Sequence, residues 1–304
     1  MKRIITVAFT LFCVALFSAC ASPASSPIKT LLITGQNNHN WQVSHVVLKQ
    51  ILESSGMFTV DYAISPEAGK DMSGFVIDFT PYDLIVLDYN GDSWPATTNQ
   101  RFLDFVAGGG GVIVYHAADN AFRGWKEYNE ICALGGWENR NETDGPYRYW
   151  VNGVLIADDS PGVGGSHGRQ HTYVLNARNE THPITKGLPA HWLHAQDELY
   201  DRMRGPGNIA TLLYTAFSDK DTRGSGREEP LLFTVEWGKG RIFHTMLGHA
   251  GPTAEESPAM QCVGFQTTLL RGAEWAATGK VTQEVPDDFP TETQFSLRPD
   301  YGSR

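Results

Sequence analysis

The sequence predicts an α/β fold with a mostly parallel central sheet and helices on both faces, and three observations carry that reading. Between Ile28 and Tyr115, apolar runs with strand character alternate with amphipathic segments of helical period. Leu84 to Leu87 is apolar without interruption, as a strand covered on both faces must be. Glycines punctuate the junctions: Gly35 after the first strand, Gly56 after the first helix, and Gly108 to Gly111 between the second helix and the next strand.

Taken in order, "IKTLLITG" is a buried strand, and the polar loop "QNNHNW" leads into a helix whose Val43, Val47 and Ile51 share one face. "MFTVDYAI" is the second strand and "YDLIVLDYNGDSWP" holds the third. "TTNQRFLDFVAGGGG" reads as a helix with a capping threonine, followed by the fourth strand and its loop, "VIVYHAADNAF". From Trp125 to Gly207 the chain is rich in glycine and aromatic residues with little periodicity, an ordered insertion with short strands at "QHTYVLNA" and "DELYDRM". Regularity returns with the strand "NIATLLYTAF" and with "EPLLFTVEWGKGRIFHTMLGH", two strands joined at "GKG". "AMQCVGFQTTLLRGAEWAA" closes the body as a helix, and residues 281–304 form a proline-broken tail draped on it.

The N-terminus fixes an expected compartment. Lys2 and Arg3 precede an apolar run from Ile4 to Phe17, and "FSAC" places small residues before Cys20. This is the pattern of a bacterial lipoprotein signal over residues 1–20, with Cys20 lipidated; an ordinary secretory signal cut near "ACA" is the alternative. Ala21 after the cysteine fits delivery to the outer membrane, and residues 21–27 form a tether to a body spanning 28–280. The lipid anchor would be the only membrane attachment. The formal net charge of −10 disfavours nucleic acid as a partner. "TGQNNHNW" lacks the further glycines and the lysine of a nucleotide cradle. Cys132 and Cys262, the cysteines beyond Cys13 and Cys20, read as buried free thiols, with one disulfide as the alternative.

Ten histidines are present, and His39, His116 and His249 fall in separate loops at the carboxyl ends of strands, where open α/β sheets place their sites. His171, beside His167 in the insertion, and the pair Asp197 and Glu198 complete a candidate set. Two or three imidazoles with a carboxylate are what a divalent metal such as Zn²⁺ uses while one position stays open, which makes His39, His116 and His171 candidate ligands. Without a metal, His116, His249, Glu198 and Asp197 could act as acid and base on a sugar. Trp41, Trp94, Asn90 and Asp119 are the candidate substrate-binding residues, because aromatic faces and amides suit a polyhydroxylated ring. His45 and His182 read as structural, His191 and His194 as flanking Trp192 on a surface element, and His244 as half-buried packing.

The ordered motifs "LLITGQNNHNW", "DLIVLDYNG", "GGGVIVYHAADNAF", "HPITKGLP", "DELYDRM" and "EWGKGRIFHTMLGH" resemble the ThuA-like (trehalose utilisation) family over roughly Ile28 to Gly279. That resemblance implies a variant of the class I glutamine amidotransferase fold, itself flavodoxin-like. The amidotransferase cysteine position then falls at His116 and the late-strand histidine at His249. With no thiol or hydroxyl at position 116, amidotransferase chemistry through a thioester is lost.

The family also implies metabolism of disaccharides and their 3-keto derivatives. The expected function is therefore an envelope-anchored enzyme that hydrolyses or eliminates across a glycosidic bond. A 3-keto group acidifies the neighbouring C–H, so one base suffices, and no spaced carboxylate pair is evident for ordinary glycoside hydrolysis. The competing expectation is a non-catalytic carbohydrate-binding lipoprotein, and a third is an assembly partner with an exposed apolar patch.

Overall fold

The computed structural model describes residues 26–301. The signal, Cys20 and most of the tether fall outside them. The first half of the body runs β1 (Ile28–Thr34), α1 (Trp41–Ser54), β2 (Phe58–Ile64), β3 (Leu84–Leu87), α2 (Ala96–Gly108), β4 (Gly111–Tyr115) and α3 (Lys126–Cys132). The insertion carries β5 (Tyr147–Val151), β6 (Val154–Asp158), β7 (Ser166–His167), β8 (His171–Ala177), β9 (His191–Asp197) and β10 (Tyr200–Asp201). The body closes with β11 (Thr211–Phe217), β12 (Glu228–Trp237), β13 (Gly240–Thr245), α4 (Pro258–Gln261) and α5 (Val263–Thr278).

One sheet has the order β2-β1-β3-β4-β13-β12-β11-β8-β9, with β5 pairing β12 and β6 at its side; β7 and β10 pair separately. The first five strands are parallel, as expected. From β12 onward every pairing is antiparallel, so the whole sheet is mixed rather than mostly parallel. The reason is local. A two-residue turn at Gly238 and Lys239, with Gly238 at φ 59°, reverses the chain between β12 and β13, and short connections of this kind make antiparallel neighbours.

Right-handed crossovers explain the layers. The chain moves from β1 to β2 in one direction along the sheet and from β3 to β4 in the other, so α1 and α2 fall on opposite faces. α5 packs on β4 and β13 beside α1, while the rings of Phe102, Trp125 and Tyr128 join α2 to α3. Leu84 to Leu87 and Val112 to Val114 are fully buried between these layers, which is why their sequence needs no polar alternation.

Two local expectations change. α2 begins at Ala96 after Pro95 with no side-chain cap; Thr98 lies inside the helix, buried, and donates to the Phe75 carbonyl at 2.7 Å. The closing helix breaks at Cys262, whose extended backbone bridges Leu297 of the C-terminal segment. Cys132 and Cys262 are both buried and free.

Candidate functional site

The carboxyl ends of β1, β4 and β13 lie along the same edge of the parallel half, with β3 between β1 and β4, and each is followed by one histidine of the candidate set. His116 stands directly after β4 at φ 45°, a left-handed conformation that costs a β-carbon residue about 1–3 kcal/mol and holds only where its surroundings over-determine it. Here they do. The ring is buried, stacks on Tyr200 at 4.5 Å, and its Nδ1–H donates to the Met246 carbonyl at 2.8 Å. A carbonyl only accepts, so Nδ1 keeps its hydrogen and Nε2 is left to face the site. His39 follows β1; its backbone N–H donates to the Asn37 side chain at 3.0 Å, a turn that aims the ring inward. His249 follows β13, and its N–H donates to Asp197 at 3.1 Å.

Glu198 comes from the turn after β9, in the antiparallel half, and sits at the centre. Its Oε2 lies 3.2 Å from His39 Nε2 and 3.6 Å from His116 Nε2, and its Oε1 lies 3.4 Å from His249 Nδ1. One ligand atom from each of His39, His116, Glu198 and His249 falls within 4.8 Å of all the others. An ion bonding nitrogen and oxygen at ~2.0–2.2 Å in a tetrahedron holds its donors about 3.3–3.6 Å apart, so closing on one would take movements of up to about 1.5 Å. One further observation fits a cation. His249 Nδ1, the nitrogen turned to Glu198, is buried without a hydrogen-bond partner, and a buried nitrogen left so is a costly feature unless something binds there.

The electrostatics of Glu198 and His39 agree, and those of His116 mean that a cation would have to displace a proton there. Burial would raise the Glu198 carboxyl, but its bonds to His116, His249 and His39 hold it far below the ordinary carboxylate range, so it is ionised. Burial drives the His39 imidazole down to about 4, against the pull of Glu198, which favours the neutral ligand form. Burial would likewise lower His116, but Glu198 and the Asp197 charge outweigh it and the imidazole is raised.

Asp197 has a different place from the one expected of an acid or base. It is fully buried, pairs with His194 at 2.8 Å, and accepts the backbone N–H groups of Glu198 at 2.7 Å and Gly248 at 2.7 Å as well as that of His249. One carboxylate thus fixes the loops that carry Glu198 and His249 to each other. His194 is no surface residue either: it is completely buried, and although burial opposes its charge, the Cys262 and Asp197 contacts raise it to about 9.

The other expected residues separate cleanly. His171 stays outside the cluster: its ring turns to the Arg169 carbonyl at 2.7 Å, and its place among the ligands is taken by His249 and Glu198. Trp94 is 4% exposed, locked among Phe75, Tyr89, Phe102, Phe122 and Trp125, so it packs the core and offers no face to a substrate. Asp119 is buried against His244 at 3.3 Å and is equally out of reach; His244 itself is fully buried, with Nδ1 on the Cys132 carbonyl at 2.8 Å. Trp41 and Asn90 do line an open cleft beside the cluster. His45 bonds the Trp41 carbonyl on its own helix, and His182 accepts the Ile184 N–H in its turn.

The insertion adds a second wall, in which sequence reasoning missed Tyr200 and Gln170. The Tyr200 hydroxyl lies 3.2 Å from His116 Nε2, the Gln170 amide donates to Glu198 at 3.4 Å, and Trp137 packs edge-on to Tyr200 at 4.7 Å. His167 Nδ1–H donates to the Gly168 carbonyl at 2.8 Å, and its Nε2 lies 3.8 Å from Glu198 Oε1. The available signal was the alternation in "DELY", which puts Tyr200 on the same side as Glu198.

Residues 29–276 match the ThuA family, described as trehalose utilisation. The crystal structure of a ThuA-like protein from Parabacteroides merdae is 73% identical, covers 92% of this chain and 100% of its own, and superposes with a TM-score of 0.91. A second ThuA-like protein, from Bacteroides uniformis, is 17% identical with a TM-score of 0.53 over 86% of this chain and 96% of its own, a likeness of fold alone. No curated protein matches the chain.

Proposed function

The chain belongs to the ThuA trehalose-utilisation family, and from that premise we propose that it is a metal-dependent enzyme acting on a disaccharide or 3-keto-glycoside. The observation that carries the reading is the convergence of His39, His116, His249 and Glu198 at the end of the parallel half. A divalent ion held by these four would polarise a carbonyl or hydroxyl oxygen of the sugar.

The chain's own residues supply the rest. His167, outside the four ligands and exposed at the rim, turns its Nε2 toward Glu198 and is the proton carrier; His249, expected as the acid or base, serves as a ligand instead. In a 3-keto-glycoside His167 takes the hydrogen from C2, beside the carbonyl. The electron pair forms the C1–C2 double bond, the C1–O bond breaks, and the leaving oxygen takes a proton from water. The hydroxide of that water then adds to C1 and His167 returns its proton to C2, which completes hydrolysis. Tyr200 keeps His116 in place, and Gln170 holds Glu198.

The order β2-β1-β3-β4-β13 is the flavodoxin order and supports an amidotransferase-like ancestry. The strained turn after β4, where that ancestry would place a nucleophile, carries an imidazole here and forms no acyl intermediate. Lys2, Arg3, the apolar run and Cys20 support lipid anchoring at the cell envelope.

The test is metal content by elemental mass spectrometry, beside turnover of a 3-keto-disaccharide followed through its conjugated enone. The wild type should hold about one metal per chain and turn over. His116→Ala should lose both, and His167→Gln should keep the metal and lose turnover. A metal-free wild type that binds the sugar unchanged, with binding intact in His116→Ala, would replace this reading with a non-catalytic sugar-binding protein.

A further inference from the structure

In the parallel half the chain leaves β1 toward β2 and leaves β3 toward β4, on opposite sides. The loops after β1 and β3 therefore diverge and leave a crevice between them, the place where open sheets bind ligands. In this protein the crevice is a cleft of about 520 Å³, within the range of small-molecule sites. It is separate from the histidine cluster but shares a wall with it, since Asn37 and Asn38 line the cleft and His39 is the next residue.

The floor is rigid. Gln36, 5% exposed, spends its side chain on both sides of the crevice, donating to the Pro66 carbonyl at 2.8 Å and accepting the Asp92 N–H at 2.8 Å. Its carbonyl accepts the Asn90 N–H at 2.9 Å. Gly91 has no room for a β-carbon because the Gln36 side chain occupies that space. Gly35 turns at φ 117°, where a β-carbon would meet the Ser65 backbone at 2.5 Å. A floor fixed before the ligand arrives loses little freedom when it binds.

The walls are chemically specific. Asn90 donates to Asn38 Oδ1 at 2.8 Å, which leaves Asn38 Nδ2 and Asn90 Oδ1 without partners among the described residues. This donor and this acceptor, on two side chains bonded to each other, suit the hydroxyls of a sugar ring. Trp41 adds an indole, and the Gln42 amide and Glu67 carboxylate add further hydrogen-bonding groups. No lysine or arginine lines the cleft, whereas Glu67 and Asp92 do, so a phosphorylated ligand would meet like charge.

We propose that this cleft is the subsite for the neutral, non-reacting sugar unit of a disaccharide, whose other unit reaches the histidine cluster. The proposal rests on the sugar reading above and adds two things to it. The protein prefers disaccharides to monosaccharides, and neutral sugars to phosphosugars.

Titration calorimetry with trehalose, glucose and trehalose 6-phosphate on the metal-loaded full domain tests it. Trehalose should bind at least tenfold more tightly than either of the others. Trp41→Ala and Asn90→Ala should each weaken trehalose by about three- to tenfold with little effect on glucose, and with unchanged metal content and melting temperature. Two variants are used because Trp41 begins α1 and its loss could disturb the fold, whereas Asn90 is on a loop. Equal binding of trehalose and glucose, or trehalose binding untouched by both variants yet abolished by His116→Ala, would overturn the subsite and leave the sugar reading standing. No binding of any of the three sugars would bring down both.

Discussion

The two halves of the sheet contribute to the cluster in opposite ways. The parallel half delivers three histidines by topology alone: one follows β1, one β4 and one β13, and parallel strands that neighbour one another present their carboxyl ends together. The antiparallel half delivers one carboxylate, and it does so by closure. Glu198 reaches the centre because Asp197, at the end of β9, locks the turn that follows to the loop of His249. Ligands placed by a sheet tolerate local change, whereas a ligand placed by a folded-back insertion depends on its lock.

The comparison breaks most visibly at Glu198. Glu198→Ala removes the sole negative charge among three imidazoles, and metal affinity should fall beyond the 10–100-fold typical of supporting residues, read by competition with a chromogenic chelator. If Glu198→Ala binds metal as tightly as His171→Ala, the carboxylate is no ligand and the two halves do not share a centre.

Asp197→Asn tests the lock. It leaves all four ligands in the sequence but strips the charge that faces His194, a fully buried pair. Metal affinity should drop about 10–100-fold, and stability by about 3–5 kcal/mol because an imidazolium is left buried. Chemical denaturation, together with the chelator assay, reads both.

A third measurement sharpens the contrast in stability. Glu229 on β12 is buried, and burial pushes its carboxyl up to about 7, with a Ser225 hydroxyl at 2.6 Å partly opposing. Its folded value lies above its unfolded one, so its contribution is full below the unfolded value near 4.5 and is lost as the pH rises through about 7. Glu229→Gln should therefore gain on the order of 1–3 kcal/mol at pH 8 and almost nothing at pH 4, in denaturant melts. Equal effects at both pH values would mean that the carboxyl is not buried uncharged.

The smallest effect belongs to His171→Ala. With its ring on the Arg169 carbonyl and outside the cluster, it should leave metal content unchanged and shift stability by less than about 0.5 kcal/mol. A loss of metal here would move the centre toward the insertion.

The same division governs what could be read from the sequence. The parallel strands, their glycine stops and the three histidines were legible because apolar runs and strand-end loops follow chain order. The antiparallel extension was not, since nothing local in "QHTYVLNA" states which strand it will pair with. Trp41 and Trp94 make the limit concrete. Both follow polar stretches after strands in the sequence, yet one lines the cleft and the other is sealed among five rings, a difference made by Phe75, Phe102 and Phe122 from other parts of the chain. Glu198 was expected at the site, but Tyr200 and Gln170 were not, because their roles exist only once the insertion has folded over His116.

The break at Cys262 sets the order in which the molecule can be finished. It lets the last stretch of chain cross behind the antiparallel half: Ser296 accepts the Val263 N–H at 3.0 Å, Arg298 donates to the Gln261 carbonyl at 2.8 Å, and Thr291 accepts the Leu193 N–H at 2.8 Å. Leu193 lies on β9, the outermost strand, whose free edge is thereby covered. Strands β1 to β4, with the loops of His39 and His116, are made first, whereas β13 and the loop of His249 follow the whole insertion. The strand leading to Asp197 and Glu198 gains its final support only when residues 291–298 have been made. A product that stops between His249 and Thr291 would carry the histidines without that support for the carboxylate.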